Sequence, residues 1–83
     1  MAKIRNGYVL TVHVEISDGR EIRKIEAALN KKGKIHLEVH NRIPDSMGRF
    51  QIKNSFYTIS TEDPTSLKMS LSKLGVSSKI SFI

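Results

Sequence analysis

From Tyr8 to Ile16 the chain alternates with a period of two. Tyr8, Leu10, Val12, Val14 and Ile16 fall on one side, and Val9, Thr11, His13 and Glu15 on the other. Successive side chains of a strand point to opposite faces, so this segment reads as a strand with one dry face and one wet face. A dry sheet face has to be covered by another layer, and the rest of the chain has to supply it.

Two readings compete after Ser17-Asp18-Gly19-Arg20. Asp-Gly is a hairpin signal, which would make the next segment a second strand. Ile22, Ile25 and Leu29, with Ala28 on the same stripe, instead stand at helical spacing, whereas a strand would send Ile22 and Ile25 to opposite faces. Asp18 and Glu21 stand at capping-box spacing, Lys31 and Lys32 suit a helix C-terminus, and Gly33 suits the residue just beyond it. The spacing predicts a helix from Gly19 to Lys31.

Ile35, Leu37 and Val39 then alternate with His36, Glu38 and His40, which predicts a second strand with its apolar residues facing the helix layer. Asn41 to Gly48 holds Pro44, Asp45, Ser46 and Gly48 and reads as a loop. Arg49 to Ser60 is strand-like, but Phe50 and Ile52 share one parity while Tyr57 and Ile59 share the other. A β-bulge at Asn54-Ser55 would restore the phase. Asp63-Pro64 marks a helix start, Leu67, Leu71 and Leu74 form its apolar stripe, and Gly75 ends it. Val76 to Ile83 closes the chain as a strand.

The order is β-α-β-β-α-β, and 83 residues have room for one core, so residues 1–83 are expected to form a single domain. The expected fold is α+β: a ferredoxin-like sandwich of a four-stranded antiparallel sheet with two helices on one face. The expected core is Leu10, Val12, Val14, Ile25, Leu29, Leu37, Leu71 and Ile80. The open face is expected to show Val9, Thr11, His13, Glu15, His36, Glu38, His40, Gln51, Lys53, Lys79, Ser81 and Ile83.

Composition narrows the chemistry. The absence of cysteine removes disulfides, thiolate metal sites and thiol nucleophiles. Met1 to Gly7 carries charges but no apolar stretch of secretory length, and no segment has the length and apolarity of a membrane span, so a cytoplasmic location is expected. On a strand His36 and His40 stand roughly 13 Å apart, too far to share one zinc ion, so no metal and no cofactor are expected. No Gly-x-Ser-x-Gly turn, P-loop or dinucleotide fingerprint is present. Acylphosphatases share the expected fold, but no Gly-rich phosphate loop with an arginine comes after the first strand. RNA-recognition motifs share it too, but Gly48 to Phe56 does not match their Lys/Arg-Gly-Phe-Gly-Phe pattern, and only Phe56 is expected on the open face.

Val14-Glu15-Ile16-Ser17-Asp18-Gly19-Arg20-Glu21-Ile22-Arg23-Lys24 resembles the first strand–helix junction of the small CRISPR-associated ferredoxin-like nucleases. That family carries an Asp one residue before the strand's last apolar position, where this chain has Glu15, and its following strand motif is absent. The resemblance implies a small metal-dependent nuclease, which ranks third because the carboxylates are scattered along the chain.

Fourteen Lys and Arg against eight Asp and Glu give a formal charge of +6, which favours a polyanionic partner. The leading expectation is a non-enzymatic binding module that contacts nucleic acid, RNA or DNA, with weak sequence specificity. The alternative is a regulatory protein-interaction domain that meets an acidic protein surface or a second copy of itself. The candidate contacts are Arg42, Arg49 and Lys53 around the 41–48 loop, and Arg20, Lys24 and Lys31 along the first helix.

Overall fold

A computed structural model describes residues 7–83. The elements run in the order β1 (Tyr8–Glu15), α1 (Glu21–Lys32), β2 (Gly33–Pro44), β3 (Phe50–Thr61), α2 (Pro64–Lys73) and β4 (Ser78–Phe82). The protein is α+β, with one open four-stranded sheet in the order β2-β3-β1-β4 and every neighbouring pair antiparallel. Among the described residues no helix is long and apolar enough to cross a membrane.

The competition after Asp18 is settled in favour of the helix. Ile25 and Leu29 are fully buried, and Ile22 packs beside them. Helix α1 begins at Glu21, two residues later than expected. Glu21 Oε1 accepts the backbone N–H groups of Ser17 and Asp18 at 3.0 and 3.2 Å, so the expected Asp18–Glu21 pairing works mainly through Glu21. Asp18 spends its own carboxylate on Arg20 instead. Helix α2 starts as expected: Asp63 Oδ1 accepts the N–H of Ser66 at 3.0 Å, with Pro64 in the first helical turn.

Leu10, Val12, Val14 and Ile16 meet Ile25 and Leu29 of α1, Leu67 and Leu71 of α2, and Tyr57 and Ile59 of β3 in one cluster. Both helices therefore share one face of the sheet. Ile80 packs at the margin of this cluster.

Strand β2 departs from its expected phase. Ile35 pairs with Ile59 but Leu37 pairs with Thr58, so His36 is an extra residue, a β-bulge. Beyond it every side chain changes face. Leu37 and Val39, expected in the core or facing it, lie on the open face, with Leu37 59% exposed. Glu38 and His40, expected on the open face, turn toward α1, where His40 Nδ1 lies 2.6 Å from the buried Ser55 hydroxyl. His36 stays on the open face beside Ser60.

The bulge expected in β3 exists, one residue earlier than Asn54-Ser55. Asn54 pairs with Asn41 and Ile52 with Arg42, which leaves Lys53 as the extra residue. Phe50 shares the parity of Ile52, as expected, yet is 70% exposed, because it sits where the helices no longer cover the sheet.

Gly33 does not cap α1 in a left-handed turn. Its φ is −173°, extended backbone, and it opens β2 directly. Glycine is required there by space: a Cβ would run into the Ser60 carbonyl oxygen of β3. Gly48 does take the left-handed conformation, with φ +80°, in the turn joining β2 to β3.

Candidate nucleic-acid interface

Strand β1 pairs with β3 only from Thr61 back to Asn54, whereas β2 and β3 stay paired out to Pro44 and Phe50. Among the described residues the far end of this hairpin, residues 42–52, is thus a two-stranded arm with no third strand beside it. Its paired part adds roughly 10 Å beyond the sheet at strand rise. The protein measures 53 × 23 × 18 Å overall.

The arm's tip is built around Asp45. Its Oδ1 accepts the N–H groups of Met47 and Arg49 at 2.8 and 2.9 Å, and its Oδ2 accepts Gln51 Nε2 at 2.9 Å. Its backbone closes the turn through Asp45 N–H to Arg49 O at 2.7 Å and Gly48 N–H to Asp45 O at 3.0 Å. These hydrogen bonds, from Gln51 first and then from the Arg49 backbone, hold the Asp45 carboxyl below its ordinary pKa. A short polar loop is thereby given a fixed shape without a hydrophobic core of its own.

Arg42, Arg49 and Lys53 all lie on or at the root of this arm, but the expected loop of Asn41 to Gly48 is shorter than its sequence suggests, because β2 stays paired with β3 as far as Pro44 and carries Arg42 within the strand. Arg49 is exposed, with Nε 3.9 Å from Asp45 Oδ2. Arg42 and Lys53 are exposed and form no ion pair among the described residues. Beside them stand Ile43, Met47 and Phe50, all exposed. The sequence reading places Phe50 on the inner face of the sheet and leaves Ile43 and Met47 inside a loop, so it does not bring the three together.

The α1 residues are not one patch. Arg20 precedes the helix and clamps Asp18, with Nη2 2.8 Å from Oδ2 and Nε 3.2 Å from both carboxylate oxygens. Hydrogen bonds from the Arg20 side chain and backbone hold the Asp18 carboxyl down at about 2. Lys24 and Lys31 are exposed farther along α1, two turns from one another. The segment just before α1 approaches the arm: Ser17, Asp18 and Gly19 line one open pocket together with Arg42, Phe50, Gln51 and Ile52. Arg42 thus shares a pocket with Asp18, whose carboxylate is already paired with Arg20, and neither Lys24 nor Lys31 lines that pocket.

The open face of the sheet presents a different surface. Phe56 of β3 and His13 of β1 stack with ring centroids 4.2 Å apart and planes 6° from parallel. Val39 pairs with Phe56 on one side and Lys79 with His13 on the other, so the row crosses all four strands. Phe56 is exposed there, as expected, and Val9 and Leu37 lie on the same face.

No protein-family model matches the chain, and no curated protein does. Among solved structures it is similar to an unknown protein from Galdieria sulphuraria, with a TM-score of 0.80 and 16% identity over 100% of this chain. The chain spans about half, 53%, of the length of that protein. At this identity the likeness is one of fold.

Proposed function

We propose that this chain is a ferredoxin-like, non-enzymatic binding module that grips nucleic acid with its β2–β3 arm. The strand order β2-β3-β1-β4, with a helix on each crossover, supports the ferredoxin-like reading. The observation that carries the functional reading is the arm itself: a shaped two-stranded projection bearing Arg42, Arg49 and Lys53 on a chain of net charge +6. Two-stranded ribbons enter nucleic-acid grooves, and cationic side chains on them meet phosphates. Ile43, Met47 and Phe50 give the same arm apolar surface to lay against sugars or bases. No fork of hydrogen-bonding side chains is assembled for reading base edges among the described residues, so recognition is governed by charge and shape.

The test is a fluorescence-anisotropy titration of single-stranded and duplex oligonucleotides over a salt series. Affinity is expected to fall linearly on log–log axes, and Arg42→Ala/Arg49→Ala to flatten the slope by about 2, close to 1 per lost phosphate contact. Absence of binding at low salt refutes the reading. Binding that ignores both arginines moves the site away from the arm.

The apolar part of the open face favours a second reading, a protein-contact surface. Val9, Leu37, Val39 and Phe56 are all exposed on it. On that reading a partner or a second copy covers the sheet, and Leu37→Asp abolishes association while the salt series shows no oligonucleotide binding.

A further inference from the structure

The bulge at His36 assembles a polar cluster between α1 and β2 that the open-face reading of Glu38 and His40 conceals. His40 Nε2 lies 3.0 Å from Glu38 Oε1 and 3.8 Å from Glu26 Oε2. One donor atom from each of Glu26, Glu38 and His40 falls within 4.8 Å of the others. Tyr57, buried beneath them, donates its hydroxyl to Glu26 Oε2 at 2.9 Å. We propose that Glu26, Glu38 and His40 form a binding site for a divalent transition-metal ion, with zinc the best-suited occupant.

Geometry is the first support. Ligands about 2.0 Å from a tetrahedral zinc stand about 3.3 Å from one another. The separations of His40 from its two carboxylates, 3.0 and 3.8 Å, bracket that value. Glu38 is exposed, so its side chain can adjust without repacking the core. His36 and His13 play no part: both lie on the opposite face of the sheet, His36 beside Ser60 and His13 against Phe56.

Orientation is the second. A ligating imidazole needs one nitrogen free for the ion and the other held by a polar neighbour. Here Ser55, fully buried, holds Nδ1 at 2.6 Å and leaves Nε2 aimed at the two carboxylates. Tyr57 donates its hydroxyl to Glu26 Oε2 at 2.9 Å and holds that carboxylate in place, the same oxygen that lies 3.8 Å from His40 Nε2.

Charge is the third. The chain has fourteen Lys and Arg for eight acids, yet among the described residues neither Glu26 nor Glu38 pairs with any of them. Two carboxylates and a neutral imidazole carry a charge that a divalent cation cancels. One nitrogen and two carboxylates suit zinc better than magnesium or calcium, which favour oxygen throughout. Three protein ligands leave a fourth position on the exposed Glu38 side for water.

The test is isothermal titration of chelator-stripped protein with Zn²⁺. One ion per chain is expected. His40→Ala and Glu26→Gln are each expected to weaken binding at least about tenfold, as loss of a ligand should, while His36→Ala leaves it unchanged. Glu38→Gln replaces an exposed side chain, so it serves if circular dichroism shows either of the other two unfolded, and it too should weaken binding about tenfold. Failure of the wild type to take up one equivalent overturns the proposal, as does uptake indifferent to Glu38→Gln. Oligonucleotide binding by the arm stands or falls separately.

Discussion

At the scale of single residues, space and hydrogen bonding decide which positions tolerate change. Gly33 is the sharpest case, because the Ser60 carbonyl oxygen blocks the place a Cβ would take. Gly33→Ala should force β2 away from β3 and destabilise the fold by about 1–3 kcal/mol, the usual cost of overpacking, measured by urea denaturation. Gly48→Ala meets no atom within 4 Å and strains only its own backbone at φ +80°, so its effect should stay in the arm. Asp18 sets an acid-sensitive contact. Its pKa is depressed from 3.8 to about 2 by Arg20. A group whose folded pKa is depressed favours the folded state above its unfolded value, and that contribution is lost as pH falls through the folded value. Stability should therefore decline between about pH 4 and 2, and Asp18→Asn should flatten that decline. Being exposed, the pair should matter less in high salt.

At the scale of elements, legibility depended on whether pairing was continuous. The β1 alternation was readable because Tyr8 to Glu15 pairs with β3 without interruption. Helix α1 was readable because Ile22, Ile25 and Leu29 fit one stripe and no strand. Helix α2 was readable from Asp63-Pro64, and Asp63→Ala should cost about 1 kcal/mol by thermal melting, since it removes the acceptor for the Ser66 N–H. The β3 bulge left a trace, because Phe50/Ile52 and Tyr57/Ile59 contradict one another in parity. The β2 bulge left none: Ile35, Leu37 and Val39 alternate across it as if His36 were paired like its neighbours. Alternation reports which residues share a face only where the partner strand keeps step. That one residue hid the Glu26–Glu38–His40 cluster and the apolar row on the open face. The arm was half legible, since two arginines bracketing a Pro/Gly loop marked it, but its paired length depends on β2 and β3 outrunning β1. Hydrogen exchange should show amides 42–52 exchanging faster than the paired segments flanked by β1, because among the described residues the arm has no third strand beside it.

At the scale of the whole molecule, one hydrophobic cluster serves both helices and the sheet. Leu71 is fully buried in it, and Leu71→Ala should cost roughly 2–5 kcal/mol in denaturant titration, with every element lost together. Core and exposed features are kept apart in this layout: the cluster lies under the helices, Arg42, Arg49 and Lys53 stand on or beside the arm, and Val9, Leu37, Val39 and Phe56 face the other way. The His36 bulge shows how narrowly the two sides of the sheet are assigned. It works as a half-step in a two-state rhythm. Had His36 taken a place in the ladder opposite Thr58, Leu37 would oppose Tyr57 and Val39 would oppose Ser55 beneath the helices, and Glu38 and His40 would turn out into water. Deleting His36 would not make that exchange, because Leu37 would still oppose Thr58 and the strand would only straighten. Which seam, polar or greasy, lies under the helices is set by whether one residue is counted in the ladder or skipped, with no side chain chemically altered.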